Sequence, residues 1–387
     1  VGAPEMKNLD DLLDTLKKIQ DAYPTNEAGD KTYALSLWPD WDGTSIENVN
    51  QLTKWYGQEV NGSILLGTDN SITPLTDKDG AYYKMLKFLY KANQMGMVDP
   101  DSATQDWNAA CDKMRQGRVH LFWYNWQYGF WNSPDKGEAR QNYRGIPLED
   151  LNIYQASDTY YGDGRAWAVG SNVSDEDKAR ILEFMDWLCS PEGLTMQHIG
   201  QEGFVYTVND DGTYTLTDAG MTRYADDPQV PEEFGGGSWT DGNNQVNQWL
   251  VASIEMNPET GETFGSDYWA SFLEKNNTAT NKEWSEKFGS ATEVSYLEEN
   301  GMLNPVPSVN LVLPIDTTDI ALIRSQCGDQ IKATSWQAIF ASDDAEFDQM
   351  WDEMCVTLEG LGWDQLVEFD TDKYQAVVDA REAAVAE

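Results

Sequence analysis

The residues best suited to recognition chemistry are aromatic. The 387-residue sequence holds 16 Trp, 18 Tyr and 12 Phe, and several Trp stand beside Asp, Asn and Gly in turn-rich stretches rather than in apolar stripes. A flat ring flanked by carboxylates or amides suits an uncharged polyhydroxyl ligand, because the ring covers an apolar face while the polar groups pair with hydroxyls at its edge. Four segments carry that combination: Trp38-Pro39-Asp40-Trp41-Asp42-Gly43, Trp123-Tyr124-Asn125-Trp126, Tyr160-Tyr161-Gly162-Asp163-Gly164-Arg165, and Gly235-Gly236-Gly237-Ser238-Trp239-Thr240-Asp241-Gly242-Asn243-Asn244. The candidate contacts are Trp38, Trp41, Asp42, Trp123, Trp126, Tyr161, Asp163, Arg165, Trp239, Asp241 and Asn243. Each has a plainer alternative. Either tryptophan of 38–42 can pack under its loop, strand alternation can bury Trp123, Asp163 and Arg165 can pair with each other, and 235–244 can be a loop and nothing more. Trp107, Trp187, Trp351 and Trp363 fall on helical faces or caps, where core packing is the stronger expectation.

Other chemistries find little support. There are two histidines, His120 and His198, which removes most designs built on histidine as base, metal ligand or triad member. The four cysteines, Cys111, Cys189, Cys327 and Cys355, lie far apart with no C-x-x-C pair, so they are expected as small buried hydrophobes. Asp77-Lys78-Asp79-Gly80 and Asp210-Asp211-Gly212 look like partial calcium loops but do not complete the twelve-residue pattern and read as turns. The triple glycine at 235 lacks a following Lys-Ser/Thr and is no phosphate loop. No cofactor and no metal are expected.

The elements that must position these residues alternate. Leu9, Leu12, Leu13, Leu16 and Ile19 recur at helical spacing behind an Asn8 cap, 32–37 reads as a strand, and a helix follows the Trp38 loop through Trp55. A hairpin is predicted within 61–74, a helix over 82–95 closed by Gly96, a helix face on Trp107, Ala110, Cys111 and Met114 ended by Gly117, and an apolar strand over 119–124. Further on come a short strand at 165–170, a Ser174-capped helix with an apolar face of Ile181, Leu182, Met185 and Leu188, and a restart at Pro191. A hairpin then joins 205–208 to 213–216, and acidic helices span 343–361 and 372–386. This is an α/β chain of two or three domains. Its 66 Asp and Glu against 26 Lys and Arg give −40 at neutral pH, a surface that repels nucleic acid and anionic lipid.

Several segments taken in order resemble the extracellular solute-binding proteins, family 1, of carbohydrate ABC transporters, in particular Gram-positive lipoproteins of the aldouronate- and oligosaccharide-binding type. They are Gly2-Ala3-Pro4-Glu5 with its Leu-rich helix, Met114-Arg115-Gln116-Gly117-Arg118-Val119 leading to Phe122-Trp123-Tyr124-Asn125-Trp126, Gly164-Arg165-Ala166-Trp167-Ala168-Val169-Gly170, Phe184-Met185-Asp186-Trp187-Leu188 with Ser190-Pro191-Glu192-Gly193, Gly200-Gln201-Glu202-Gly203, and Phe347-Asp348-Gln349-Met350-Trp351-Asp352-Glu353-Met354. The resemblance implies a periplasmic-binding-protein-like fold of two α/β lobes with the ligand in the interlobe cleft. It divides the chain into a lobe over 1–162, part of a second lobe over 163–305, and a crossing segment with C-terminal helices over 306–387. In it Trp126 matches the aromatic that sugar-binding relatives present to the cleft, and Tyr161, Asp163 and Arg165 lie where the chain crosses between lobes.

Family members normally carry a signal peptide, a lipid-modified cysteine and a stretch of βαβ units ahead of the Gly-Ala-Pro-Glu segment. The sequence given starts at that segment, so one lobe is expected to be incomplete on its N-terminal side unless an upstream segment or a partner chain supplies the strands. The function implied is extracellular capture of an oligosaccharide, at the outer face of the cytoplasmic membrane under an N-terminal lipid anchor, and its delivery to the transmembrane subunits of an ABC permease. Nucleic acid is not an expected partner. The rival from the same residues is a glycoside hydrolase using a pair of the many carboxylates, and a weaker one is a surface adhesion protein for glycans.

Overall fold

A computed structural model describes residues 1–2, 4–156, 167–242, 251–309 and 311–386. The chain divides into two compact units: Val1–Asn125 with Gly145–Asp163 and Ala291–Glu387, and Trp126–Arg144 with Gly164–Ser290. The chain passes between them repeatedly, so the stretch 126–144 groups with the second unit and the C-terminal helices with the first. The boundary expected near 162 lies outside the described residues.

The first unit is organised around three parallel extended segments. Tyr33 N donates to Arg118 O at 2.8 Å and Leu35 N to Met97 O at 3.1 Å, while His120 N and Asp99 N return bonds to Tyr33 O and Leu35 O at 3.0 and 2.8 Å. The 33–37 segment is thus flanked by 97–99 and 118–121, all running the same way. Ala34, Leu35, Ser36, Leu37 and Trp38 are fully buried, as expected of a parallel segment covered on both faces. Helix Leu9–Ala22 starts where Asn8 accepts from the backbone of Asp10 and Asp11, and it buries Leu12, Leu13 and Leu16. Helices Glu47–Trp55, Ala81–Gln94 and Trp107–Arg115 complete the α/β alternation.

Two parts of this unit differ from the sequence reading. The hairpin predicted in 61–74 is a three-stranded antiparallel meander, Gln58–Asn61, Ile64–Gly67 and Ile72–Pro74, because left-handed Gly62 and Asn70 each turn the chain. The C-terminal region holds three long helices, Thr318–Ile339, Asp344–Leu361 and Trp363–Ala386. The first packs against Ala81–Gln94 and Asp344–Leu361, with Tyr82 Oη and Ser335 Oγ 3.0 Å apart. The third begins directly after left-handed Gly362, ahead of the predicted start. Arg324 on the first of these helices forks onto Asp370 with two bonds of 2.7 Å and onto Asp316 with bonds of 2.6 and 3.0 Å. Asp370 also accepts Ser63 N and Oγ at 2.9 and 2.7 Å, which ties the meander to the C-terminal helices. Strand Ile153–Ala156 pairs in parallel with Leu303–Val306.

The second unit is built on helices Asp175–Leu188 and Pro191–His198, capped by Ser174 and Ser190, and on the hairpin Tyr206–Val208 with Tyr214–Leu216. Its core joins Ile199, Val205, Tyr206, Tyr214, Leu216 and Trp269. Of the strand predicted at 165–170, residues 167–170 are not in a strand and the rest lie outside the described residues. The apolar face predicted for Asp175–Leu188 is buried only at Leu188, while Leu182 and Phe184 are 49% and 50% exposed.

Candidate functional site

Three parallel segments running together end together, so the loops that follow them meet at one edge, where open α/β sheets place ligands. In the first unit those loops bring Trp38 and Trp41, Trp107, and Trp123 with Tyr124 to the same edge. Trp41 and Trp107 have ring centroids 4.4 Å apart at 38°, Trp38 lies 4.8 Å from Trp107 and 5.3 Å edge-on from Trp41, and Tyr124 is 6.0 Å from Trp41. Such offset and edge contacts are the arrangements aromatic pairs favour. Trp41 keeps 38% of its surface exposed whereas Trp38 keeps none. The result is an aromatic platform whose Trp41 ring is partly exposed.

Carboxylates hold and edge the platform. Asp40 Oδ2 accepts the Trp107 backbone N–H at 2.7 Å, and Asp106 caps the same helix through Ala109 N at 2.8 Å. Asp42 is used from both sides: Oδ1 accepts Glu47 N at 2.9 Å, and Oδ2 accepts Trp336 Nε1 at 2.7 Å. The Glu47–Trp55 helix has no side-chain bond from its own cap, Ile46, so Asp42 supplies the missing acceptor from five residues away. Burial raises the Asp42 carboxyl above its ordinary value against the pull of those bonds. Glu47 Oε1 receives Tyr124 Oη at 3.3 Å and the Gln51 side-chain amide. Burial, followed by the Glu47 charge, pushes the Tyr124 hydroxyl strongly upward, so it stays protonated and donates.

Below the rings a buried polar network fixes the loop. Gln105 Nε2 donates to Ser36 Oγ at 2.8 Å, Ser36 Oγ to Asp99 Oδ2 at 2.9 Å, and Leu37 N to Ser102 Oγ at 3.1 Å. Lys113 closes the network on Asp99 and Asp101 at 2.7 and 2.8 Å. Hydrogen bonds among buried groups of this kind make a loop costly to move.

The sequence candidates therefore separate. Trp41 presents a surface. Trp38 has none to offer a ligand, because the buried strand continues through it before Pro39 turns the chain. Trp123 is buried and donates Nε1 to Ser36 O at 3.2 Å; the strand predicted over 119–124 is only a bridge at Val119, and the neighbours Phe122 and Trp123 are both buried, so packing and not alternation covers it. Asp42 positions a helix and a neighbouring indole. Trp107, expected in the core, is half-buried and joins the platform. Tyr124, Glu47 and Trp336 were not singled out from the sequence; Tyr124 had a signal in its place between two tryptophans at a strand end, whereas Glu47 and Trp336 are brought in only by packing.

In the second unit, Trp126 is 48% exposed at the start of a 3-10 turn, Asn125–Phe130, with Phe130 edge-on at 6.1 Å. Trp239 is packed against the unit's core. The left-handed run Gly235-Gly236-Gly237 folds the chain back and sets Trp239 against Gly200, where an added Cβ would meet the ring at 2.7 Å. Asp241 Oδ2 accepts Ser238 N at 3.1 Å, a capping contact. Tyr161, Asp163, Arg165 and Asn243 lie outside the described residues. Burial lowers the pKa of both His120 and His198. Cys111 and Cys327 are buried, but Cys189 is exposed and Cys355 half-buried, since the faces that carry them are not covered. Asp77 and Asp211 accept from Asp79 N and Thr213 N at 2.9 and 3.0 Å, forming turns. Among the described residues no three metal-ligating side chains gather.

The family model for bacterial extracellular solute-binding proteins matches residues 4–195, a range that contains the whole strand-end edge and Trp126. The chain belongs to this family. Its fold is that of two solved solute-binding structures. One is the Streptococcus pneumoniae ABC-transporter substrate-binding protein FusA in complex with kestose, at 16% identity and a TM-score of 0.55 over 97% of this chain and 70% of that one. The other is the alginate-binding protein AlgQ2 without calcium ion, at 12% identity and 0.53 over 96% and 68%. No curated protein matches by sequence. As a member of the solute-binding family the chain works outside the cell, and among the described residues no helix is long and apolar enough to cross a membrane.

Proposed function

We propose that this solute-binding protein captures a carbohydrate, specifically an oligosaccharide, and hands it unchanged to the permease of an ABC transporter at the outer face of the membrane, where a lipid anchor of the Gram-positive type would hold it. The observation that carries the reading is the Trp41 ring, 38% exposed, packed on Trp107, edge-on to Trp38 and neighboured by Asp40 and Glu47. The ring suits the apolar face of a pyranose or furanose, and the carboxylates accept from its hydroxyls. Membership of a binding family and the kestose and alginate named for FusA and AlgQ2 support the same class of solute and argue for capture rather than cleavage. Capture of this kind is a two-state equilibrium that the ligand biases by binding one state better.

Calorimetric titration with an oligosaccharide panel, followed by chromatography of the recovered ligand, tests the proposal. At least one sugar should bind and return intact, and Trp41→Ala should weaken it by roughly tenfold or more, the loss of about 1.4 kcal/mol. A sugar returned cleaved would replace capture with hydrolysis.

A further inference from the structure

One helix from the far end of the chain grips the loop that presents Trp41. Within the first unit, helix Thr318–Ile339 reaches residues 42–46 at three points. Trp336 Nε1 donates to Asp42 Oδ2 at 2.7 Å, and Asp42 Oδ1 accepts Glu47 N at 2.9 Å. Ser335 Oγ lies 3.0 Å from Tyr82 Oη, which in turn accepts Ile46 N at 3.3 Å. Gly328, about two turns earlier on the helix, packs so closely on the loop that an added Cβ would stand 3.2 Å from Thr44 Cα. Lys332, one turn before Trp336, adds an attractive charge toward Asp42.

Asp42 follows Trp41 directly, so these bonds hold the backbone that carries the ring. The contacts of Trp41 with Trp38 and Trp107 belong to a class that tolerates a range of offsets and angles, and they do not by themselves fix where the ring stands. A hydrogen bond from an indole N–H to a carboxylate is charge-assisted and more directional. We propose that Trp336 is a positioning residue for the Trp41 platform: its indole N–H sets the pose of the Asp42 loop, and with it the affinity for sugar, without touching the ligand. This role rests on the carbohydrate reading above.

A double-mutant cycle tests it, with the full chain titrated calorimetrically against kestose, xylotriose and maltotriose. Trp336→Phe keeps a ring and removes the donor, and it should weaken the sugars that bind by roughly three- to tenfold. In a Trp41→Ala background the same change should cost less than about twofold, because no ring is left to position. Gly328→Ala is the second route and serves if Trp336→Phe folds poorly. It touches no polar group and adds only a methyl that presses on Thr44. Alanine is the better helix former, so this variant should stay folded and still lose affinity, again only while Trp41 is present. A Trp336→Phe effect undiminished without Trp41 would overturn the role, and so would unchanged affinity in both Trp336→Phe and Gly328→Ala. Either outcome leaves a Trp41→Ala loss, and the carbohydrate reading, standing. If none of the three sugars binds the unmodified protein, that reading fails and the role falls with it.

Discussion

Each unit stacks aromatic rings at similar spacing, yet the two clusters do opposite things. In the second unit, Tyr206 and Tyr214 lie 4.9 Å apart and 6.0 and 5.2 Å from Trp269. Trp269 is fully buried and donates Nε1 to Thr263 O at 2.9 Å. In the first unit, Trp41 meets its neighbours at 4.4 to 6.0 Å but stays 38% exposed. Ring contacts alone therefore do not mark a recognition surface. What marks it is a cluster placed where parallel segments end, with its polar neighbours fixed from below and one ring, Trp41, 38% exposed.

The comparison breaks most visibly by truncating one ring on each side. Trp269→Ala removes a fully buried indole and should cost about 3–5 kcal/mol, read as a large fall in the denaturant midpoint. Trp41→Ala should cost about 1 kcal/mol or less, as expected of a partly exposed site, while abolishing most sugar affinity. Equal stability losses at both positions would erase the distinction drawn between core and platform.

A smaller effect separates the two strand-end tryptophans of the first unit. Trp123→Phe keeps a ring but strands Ser36 O without its donor, so we expect a stability loss of about 1–2 kcal/mol and a weaker grip on the network under Trp38. Melting temperature and titration of the same variant should both move; a variant that loses affinity with no change in melting would place Trp123 at the ligand instead.

The smallest effect depends on pH. Asp316 is held below the ordinary carboxylate value of 3.8 by its bonds to Arg324. A depressed folded value means that its stabilisation is present above 3.8 and is lost as pH falls through the lower folded value. The difference in melting temperature between wild type and Asp316→Asn should be full at neutral pH and close below pH 3.8. A difference that persists unchanged in acid would show that the ion pair contributes no pH-dependent stability to the first unit.

Much of the first unit is legible from its residues. The extended segment at 33–37, the cap Asn8 and the stops at Gly96 and Gly117 are written in local periodicity and in residues suited to helix ends, as is the Ser174 cap in the second unit. Burial of Trp123 is an alternative the sequence offers, although packing and not alternation produces it. Other features are not local. The Thr318–Ile339 helix escaped because its buried positions include Thr334, Ser335 and Gly328 along with Ile320 and Ile331, so it packs on several sides and shows no single apolar stripe. Trp239 seemed a loop aromatic because the stretch before it is glycine-rich; those glycines instead return the chain to its own core.

The sequence by itself determined the α/β alternation, the acidic surface and the strand-end position of the Trp38 loop, since each depends on residue type and on spacing along the chain. Tertiary structure decided which rings stay open. Trp38, Trp41, Trp107 and Tyr124 come from three separate loops, and exposure of any one depends on which of the others lies over it. Spacing along a chain specifies which face a side chain leaves, but burial depends on what distant segment arrives to cover that face.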